Sequence, residues 1–154
     1  LASSAASDVY KRQSMYILKK RVRFYETDGM CVVYHGNYLK WFEEARVEYM
    51  REGGVCLNDL LNEGIVFPIV EIHVKYLKSA RYDDIVLVKT YLREADRAKL
   101  VFEYEVVREA TGEILTTGKS VGTYTKAATG KIARMSPDRL AKLIEISKED
   151  RRNG

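Results

Sequence analysis

Alternating hydrophobic and polar residues predict five β-strands along this chain. The first covers residues 15–25 and is rich in aromatic and β-branched side chains that alternate with charged ones. Four segments with the same pattern come later, over residues 65–77, 85–93, 99–108 and 114–125. A period of two is typical of strands that bury one face. Gly112 in the turn before the last segment indicates an antiparallel hairpin.

Residues 36–51 have the periodicity of a helix instead. Their apolar side chains recur three and four positions apart and form one face: Tyr38, Trp41, Phe42, Ala45 and Tyr49. The glycine pair at 53–54 is a signal for the end of this helix. A shorter helix is predicted from Pro137 to about Ile146, with Ser136 as its N-cap.

A strand, a long helix and then four strands predict an α+β domain in which an antiparallel sheet covers one helix. The 154 residues suit one domain, which we expect to cover residues 15–147, followed by a frayed charged tail at 148–154. Residues 1–14 are small and polar and resemble one translated frame of a widely used sequencing adapter. We expect them to be a non-native, disordered extension, with Met15 as the native start.

Charge and cysteine content exclude several classes of protein. The net charge is +4, and about +3 without residues 1–14, which is too small to predict nucleic-acid binding. No apolar run approaches the roughly 18 residues of a membrane span, so no integral membrane contact is expected. Cys31 and Cys56 do not make a disulfide framework, and a reduced, cytoplasmic protein is expected. His73 lacks partners at ligand spacing, so no metal site is predicted.

The candidate chemistry lies between the first strand and the long helix. Asp28 and His35 are in this loop, and the helix that starts near Gly36 presents unpaired N–H groups and partial positive charge. A carboxylate close to such donors suits acyl transfer, as a base or a nucleophile on a polarised carbonyl. On the residues alone, Asp28 is equally explained as a turn residue and His35 as an ordinary loop or core imidazole.

The motif itself resembles a known family. It runs from Tyr25 (Tyr-Glu-Thr-Asp) through Val32 (Val-Val-Tyr-His) to Trp41 (Trp-Phe-Glu-Glu-Ala-Arg). This is similar to the hotdog-fold acyl-CoA thioesterases of the 4-hydroxybenzoyl-CoA thioesterase type, and especially to the small bacterial ones encoded beside the Tol–Pal envelope system. The resemblance covers about residues 16–146. It implies a five-stranded sheet wrapped around one central helix, and hydrolysis of acyl-CoA to free acid and CoA without a cofactor.

The resemblance also implies roles for particular residues. Asp28 is the expected catalytic carboxylate, and the backbone N–H of His35 is the expected oxyanion donor. Tyr34, which flanks His35, is also expected to belong to the catalytic site. Substrate contacts are expected from six residues: Cys31, Gly36, Asn37, Arg97, Lys99 and Arg134. The basic ones among them are expected to contact the CoA phosphates. Cys31 departs from the family, which usually has Gly there, so the path of the loop and the fit of the acyl chain are open.

The family pattern further implies a homodimer or homotetramer with active sites between subunits. Phe67, Pro68 and Glu71 are candidates for lining the pocket of a neighbour. Three alternatives remain: a carboxylate on the long helix, Glu43 or Glu44, as the nucleophile; a hotdog hydratase; and a non-catalytic acyl-thioester-binding protein. The hydratase is disfavoured because its usual His and carboxylate spacing does not occur in this sequence.

Overall fold

The computed structural model of the protein describes residues 15–147, so the expectations for 1–14 and 148–154 fall outside it. Strand β1 (Met15–Arg21) leads through a 3₁₀ turn (Phe24–Glu26) into the long helix α1 (Asn37–Glu52). The remaining elements follow in chain order: α2 (Leu57–Asn62), β2 (Ile65–Val66), β3 (Ile69–Tyr76), β4 (Ile85–Ala95), β5 (Lys99–Arg108), β6 (Ile114–Thr123), β7 (Thr125–Lys126) and α3 (Pro137–Ile146).

Five antiparallel strands form the main sheet in the order β1-β4-β5-β6-β3, and α1 packs on one face of it. The predicted apolar face of α1 is the buried one, with Trp41, Phe42 and Ala45 at most 1% exposed. Phe42 stacks on Tyr104 of β5, with ring centroids 4.2 Å apart. The predicted α+β hotdog arrangement is confirmed, with the short C-terminal helix beginning at Pro137 and capped by Ser136, whose Oγ accepts a hydrogen bond from the N–H of Arg139.

The predicted strand 65–77 is broken in two. β2 pairs with β7 in a separate two-stranded sheet, whereas β3 pairs with β6 at the edge of the main sheet. Pro68 lies between them, and it lacks the N–H that a continuous ladder needs. Its carbonyl still accepts a 3.0 Å hydrogen bond from the N–H of Thr123. The last predicted strand is interrupted at the same level, at Tyr124.

The sheet has two distinct ends. Arg21 pairs with Ile85 and Tyr76 pairs with Thr116 at one end, which also carries the loop that contains Asp28. We call this the Asp28 end. The turn between β4 and β5, which contains Arg97, lies at the other end, the Arg97 end. β4 has 11 residues, and strands rise about 3.3 Å per residue, so the two ends are roughly 30 Å apart.

Within residues 15–147, the structure contains no helix that is both long and apolar enough to cross a membrane.

Candidate active site

Asp28 lies in a tight loop that is closed by its own hydrogen bonds. Its Oδ1 accepts from the N–H of Met30 at 2.8 Å, and its carbonyl accepts from the N–H of Cys31 at 2.9 Å. Its N–H donates to the carbonyl of Val32 at 3.0 Å. Asp28 therefore does adopt the turn role considered from the sequence. Its second oxygen, Oδ2, accepts no hydrogen bond from any described residue, so the turn leaves part of the carboxylate open.

Cys31 occupies the left-handed region of backbone conformation, with φ of 60°. Only glycine adopts this region freely, and other residues are strained there by about 1 kcal/mol or more. The loop thus follows the path that a glycine permits, and Cys31 bears the strain. Its side chain is exposed. It is not among the residues that line the cleft beside Asp28, so its predicted effect on the acyl group stays a prediction.

The start of α1 presents open donors next to this loop. Gly36 is the N-cap residue, and the N–H of Asn37 donates to the carbonyl of Tyr34 at 2.9 Å. Neither His35 nor Gly36 donates its backbone N–H to any group in the part of the chain that the structure describes. Unpaired N–H groups at a helix N-terminus, together with the helix dipole, favour an anion or a developing oxyanion.

A cleft of about 230 Å³ brings the two halves of the candidate site together. Asp28 and His35 both line it, with Tyr38, Tyr76 and Leu77 among the other lining residues. The ring of Tyr76 lies 6.2 Å from that of His35 and 5.5 Å from that of Tyr38, measured between centroids. Burial raises the pKa of both tyrosines, so their hydroxyls stay protonated near neutral pH. The cleft is therefore aromatic and has a carboxylate at one side.

Glu26 connects these parts, although the sequence did not single it out. Its carboxylate accepts from the indole Nε1 of Trp41 at 2.7 Å and from the N–H of Arg23 at 2.8 Å. Its carbonyl accepts from the N–H of Tyr34 at 2.9 Å and from the side-chain amide of Asn37 at 2.7 Å. Asn37 thus holds the helix start to the loop instead of projecting freely into the cleft. The available sequence signal was an acidic residue two positions before Asp28.

The three predicted phosphate-binding residues lie at the Arg97 end. Arg97 donates through Nε to the carbonyl of Met135 at 3.0 Å, and Lys99 forms an ion pair with Glu94 at 3.1 Å. Arg134 lines a groove of about 570 Å³ that also includes Ile132. The three residues therefore lie together, but within one chain they are separated from Asp28 by roughly the length of the sheet.

Comparison with known proteins decides the family. The chain matches the thioesterase-like superfamily over residues 22–143. It belongs to this family. The crystal structure of the DHNA-CoA thioesterase from Staphylococcus aureus is 36% identical, with a TM-score of 0.81 over 86% of this chain and 90% of that one. The acyl-CoA thioesterase YbgC of Haemophilus influenzae is 36% identical over 57% of this chain and 65% of its own length. The 4-hydroxybenzoyl-CoA thioesterase of Pseudomonas sp. is 28% identical over 62% and 70%.

Within this thioesterase-like domain, the ring of Tyr34 packs against the two residues that follow it in the motif. The ring of Tyr34 lies 4.3 Å from the ring of His35. It also covers Gly36, because a Cβ at that position would lie 2.7 Å from the Cε1 of Tyr34. The missing side chain of Gly36 therefore accommodates Tyr34 within the chain itself. Its predicted contact with an acyl group stays a prediction.

The other candidates are placed as follows. Phe67 packs on Tyr124, with centroids 5.4 Å apart, so its ring contributes to the core of its own chain. Glu71 lies on the exposed edge strand β3, where the ring of His73 at 2.7 Å lowers the pKa of its carboxyl. Glu43 and Glu44 are exposed on α1, and neither lines the cleft that holds Asp28. Within residues 15–147, no group of three or more His, Cys, Asp or Glu side chains is placed to bind a metal.

Proposed function

We propose that this protein hydrolyses acyl-CoA thioesters to the free acid and CoA at the cleft beside Asp28. One observation carries the proposal: the partly open carboxylate of Asp28 and His35, whose backbone N–H has no partner among the described residues, line the same cleft. The family supplies the bond type, since relatives of this chain are named thioesterases that act on acyl-CoA. The reaction class is thioester hydrolysis, and the residues that perform it are this chain's own.

In the proposed reaction, the thioester oxygen accepts a hydrogen bond from the N–H of His35. That donor stabilises the negative charge that develops on the oxygen in the transition state. Asp28 then acts in one of two ways. It attacks the carbonyl carbon, giving a mixed anhydride and releasing CoA thiolate, after which water cleaves the anhydride. Alternatively, it takes a proton from a water molecule that attacks directly. Both routes end in the same acid and CoA.

The position of the basic residues supports a site shared between two copies. Phosphates of CoA need Lys or Arg, and Arg97, Lys99 and Arg134 lie at the opposite end of the chain from Asp28. An Arg97 end can lie beside the Asp28 end only if it belongs to a second copy of the chain. This arrangement makes a homodimer the smallest complete unit, and a homotetramer of two such dimers is compatible with it.

The edges of the sheet favour β3 as the strand that pairs. β1, at one edge, ends in three consecutive cations, Lys19, Lys20 and Arg21, and a run of like charge protects an edge from pairing, whereas β3 carries charges of both signs. β3, at the other edge, exposes Val70 and Ile72 by 60% and 38%. Two β3 strands paired antiparallel about a two-fold axis run in opposite directions. The start of β3 in one copy, preceded by Phe67 and Pro68, then lies near the Asp28 end of the other.

The cytoplasm is the proposed compartment. Cys31 and Cys56 are both free thiols in the structure, which suits a reducing environment.

The test is release of CoA from a panel of short aliphatic, long aliphatic and aromatic acyl-CoA thioesters. Free CoA should be quantified by chromatography, because the exposed Cys31 would react with a thiol-detecting reagent. We expect steady-state turnover of at least one thioester, well above the uncatalysed rate. Stoichiometric binding of acyl-CoA without release of CoA would instead identify the protein as a non-catalytic acyl-thioester-binding protein.

The assembly is tested separately by light scattering. We expect a dimer or tetramer, and we expect Ile72→Lys to weaken it because the charge falls on the exposed edge strand. Lys119→Ala, on the neighbouring strand, is the matched control. A wild type that is monomeric and fully active would contradict the shared site.

A further inference from the structure

Glu26 is the only buried acidic side chain among residues 15–147, with 8% of its surface exposed. No Lys or Arg in that range forms an ion pair with it. Burial of a carboxylate without a cation is unfavourable unless hydrogen bonds replace its water. The hydrogen bonds of Glu26 meet this requirement, and they also connect it to the proposed site.

The carboxylate of Glu26 is held from two directions. Oε2 accepts from Nε1 of Trp41, which is 1% exposed on helix α1, and Oε1 accepts from the N–H of Arg23, two residues after β1 ends. Hydrogen bonds to an ionised acceptor are stronger than neutral ones. The side chain therefore fixes the start of the Asp28 loop against the body of the helix.

The main chain of Glu26 holds the donor side of the site. Its carbonyl accepts from the N–H of Tyr34, the residue before His35, and from the side chain of Asn37, the first residue of α1. Asp28 follows Glu26 by two residues. Glu26 is thus hydrogen-bonded on both sides of His35, to Tyr34 and to Asn37, and it lies two residues before the proposed catalytic carboxylate.

We propose that Glu26 is a positioning residue that sets the separation between the carboxylate of Asp28 and the N–H of His35. The inference rests on the proposed thioesterase function. Displacement of a reacting group by about 1 Å lowers turnover by as much as ~10²-fold. A carboxylate suits this role because both of its oxygens accept and neither donates. Glutamine has the same size, but its NH₂ would face either the indole N–H of Trp41 or the backbone N–H of Arg23.

The experiment compares Glu26→Gln with wild type on the best thioester of the panel. We expect kcat to fall by about 10-fold to 10²-fold while KM stays within about threefold, because positioning acts on the transition state. Thermal unfolding monitored by circular dichroism establishes that the variant is folded at the assay temperature. If it is not folded, Glu26→Asp is measured by the same criteria, since a shorter carboxylate cannot reach both donors. Glu145→Gln, an exposed acid on α3, is the control and should match wild type.

A double-mutant cycle then separates positioning from general weakening. If Glu26 acts through Asp28, adding Glu26→Gln to Asp28→Asn should lower kcat by less than about twofold further. A full multiplicative loss in that background would overturn the proposal, as would a folded Glu26→Gln variant whose kcat is within about twofold of wild type. A wild type that releases no CoA from any thioester would overturn the proposed function and this inference together.

Discussion

The hydroxyl of Tyr76 donates a 2.9 Å hydrogen bond to the backbone carbonyl of His35, across 41 positions of sequence. Tyr76 is the last residue of β3, and His35 immediately precedes the N-cap of α1. This bond ties the edge strand to the proposed oxyanion donor. Because β3 is also the strand proposed to pair with a second copy, Tyr76 connects the interface with the site.

Replacement of Tyr76 by Phe tests this connection. The change keeps the ring against His35 and removes only the hydroxyl, leaving the carbonyl of His35 without that donor. A hydrogen bond of this kind contributes about 1 kcal/mol, so we expect kcat to fall by about fivefold. The measurement is steady-state turnover of the preferred acyl-CoA.

Tyr82→Phe is the control for that change. Tyr82 is 57% exposed, and its ring contacts Phe24 at the same end of the sheet. Its loss of a hydroxyl should not alter turnover. Equal losses in both variants would show that the bond from Tyr76 to His35 has no particular importance.

Asp28→Asn should lower turnover by at least about 10²-fold, the scale associated with loss of a general base. Asn keeps an oxygen that can accept from the N–H of Met30, so the loop should remain folded. Unfolding curves should accordingly be nearly unchanged. Glu44→Gln and Glu43→Gln are the matched controls on α1, and both should be almost silent. Loss of activity in either control, with an active Asp28→Asn, would move the catalytic carboxylate to the helix.

Most of the fold could be predicted from sequence periodicity, because burial of one face dictates it. Helix α1 was predicted over 36–51 and spans Asn37–Glu52, and the strand at 99–108 is β5. The error at 65–77 has a local cause. Alternation continues across Phe67 and Pro68, so the pattern hides the point where the proline ends one ladder and another begins.

The site was harder to predict, since its geometry depends on contacts distant in sequence. The motif identified Asp28 and the helix start, but Glu26 and Tyr76 gain their significance only from hydrogen bonds to Trp41 and His35. The separation of Arg97 from Asp28 follows from strand order, which periodicity does not give. Both features depend on tertiary structure, which the pattern of hydrophobic and polar residues does not specify.

The strain at Cys31 predicts an unusual order of stabilities. At ordinary helix or strand backbone angles, a protein with Gly at a given position is less stable than one with Ala there by about 0.5–1 kcal/mol. At a φ of 60° the order should be reversed, because Ala retains the Cβ that causes the strain. We therefore expect Cys31→Gly to be at least as stable as wild type, and Cys31→Ala to be no better than Cys31→Gly. Urea unfolding measures this, and a less stable Gly variant would show that the loop is unstrained.

Acid should weaken the turn at the Arg97 end. The N–H groups of Ala98 and Lys99 donate to the carboxylate of Asp96 at 2.7 and 2.8 Å, and they lower its pKa in the folded state. A depressed folded pKa contributes stability that is present above the unfolded pKa, about 3.9, and is lost as the pH falls through the folded value. The contribution is small because Asp96 is exposed.

The expected result is a pH-dependent difference between wild type and Asp96→Asn. The free energy of unfolding should differ by a constant amount between about pH 7 and pH 5, and the difference should shrink below about pH 4. Urea unfolding at several pH values provides the measurement. A difference that is independent of pH would mean that the charge of Asp96 does not matter to the turn.

The packing of α1 on the sheet depends on the absence of a side chain at Gly118. A Cβ there would lie 2.5 Å from Cε2 of Phe42, whose ring is fully buried and stacked on Tyr104. Gly118→Ala must therefore displace that ring from a close-packed core, and we expect it to lower the free energy of unfolding by about 1–3 kcal/mol.

Two further variants make this prediction specific. Gly29→Ala adds the same methyl group where it would meet nothing within 4 Å, so its stability should be nearly that of wild type. Phe42→Leu removes the atoms that clash, so the pair Gly118→Ala and Phe42→Leu should lose less stability than the sum of the two single changes. Strict additivity in urea unfolding would mean that the loss at Gly118 arises from the strand backbone and not from contact with Phe42.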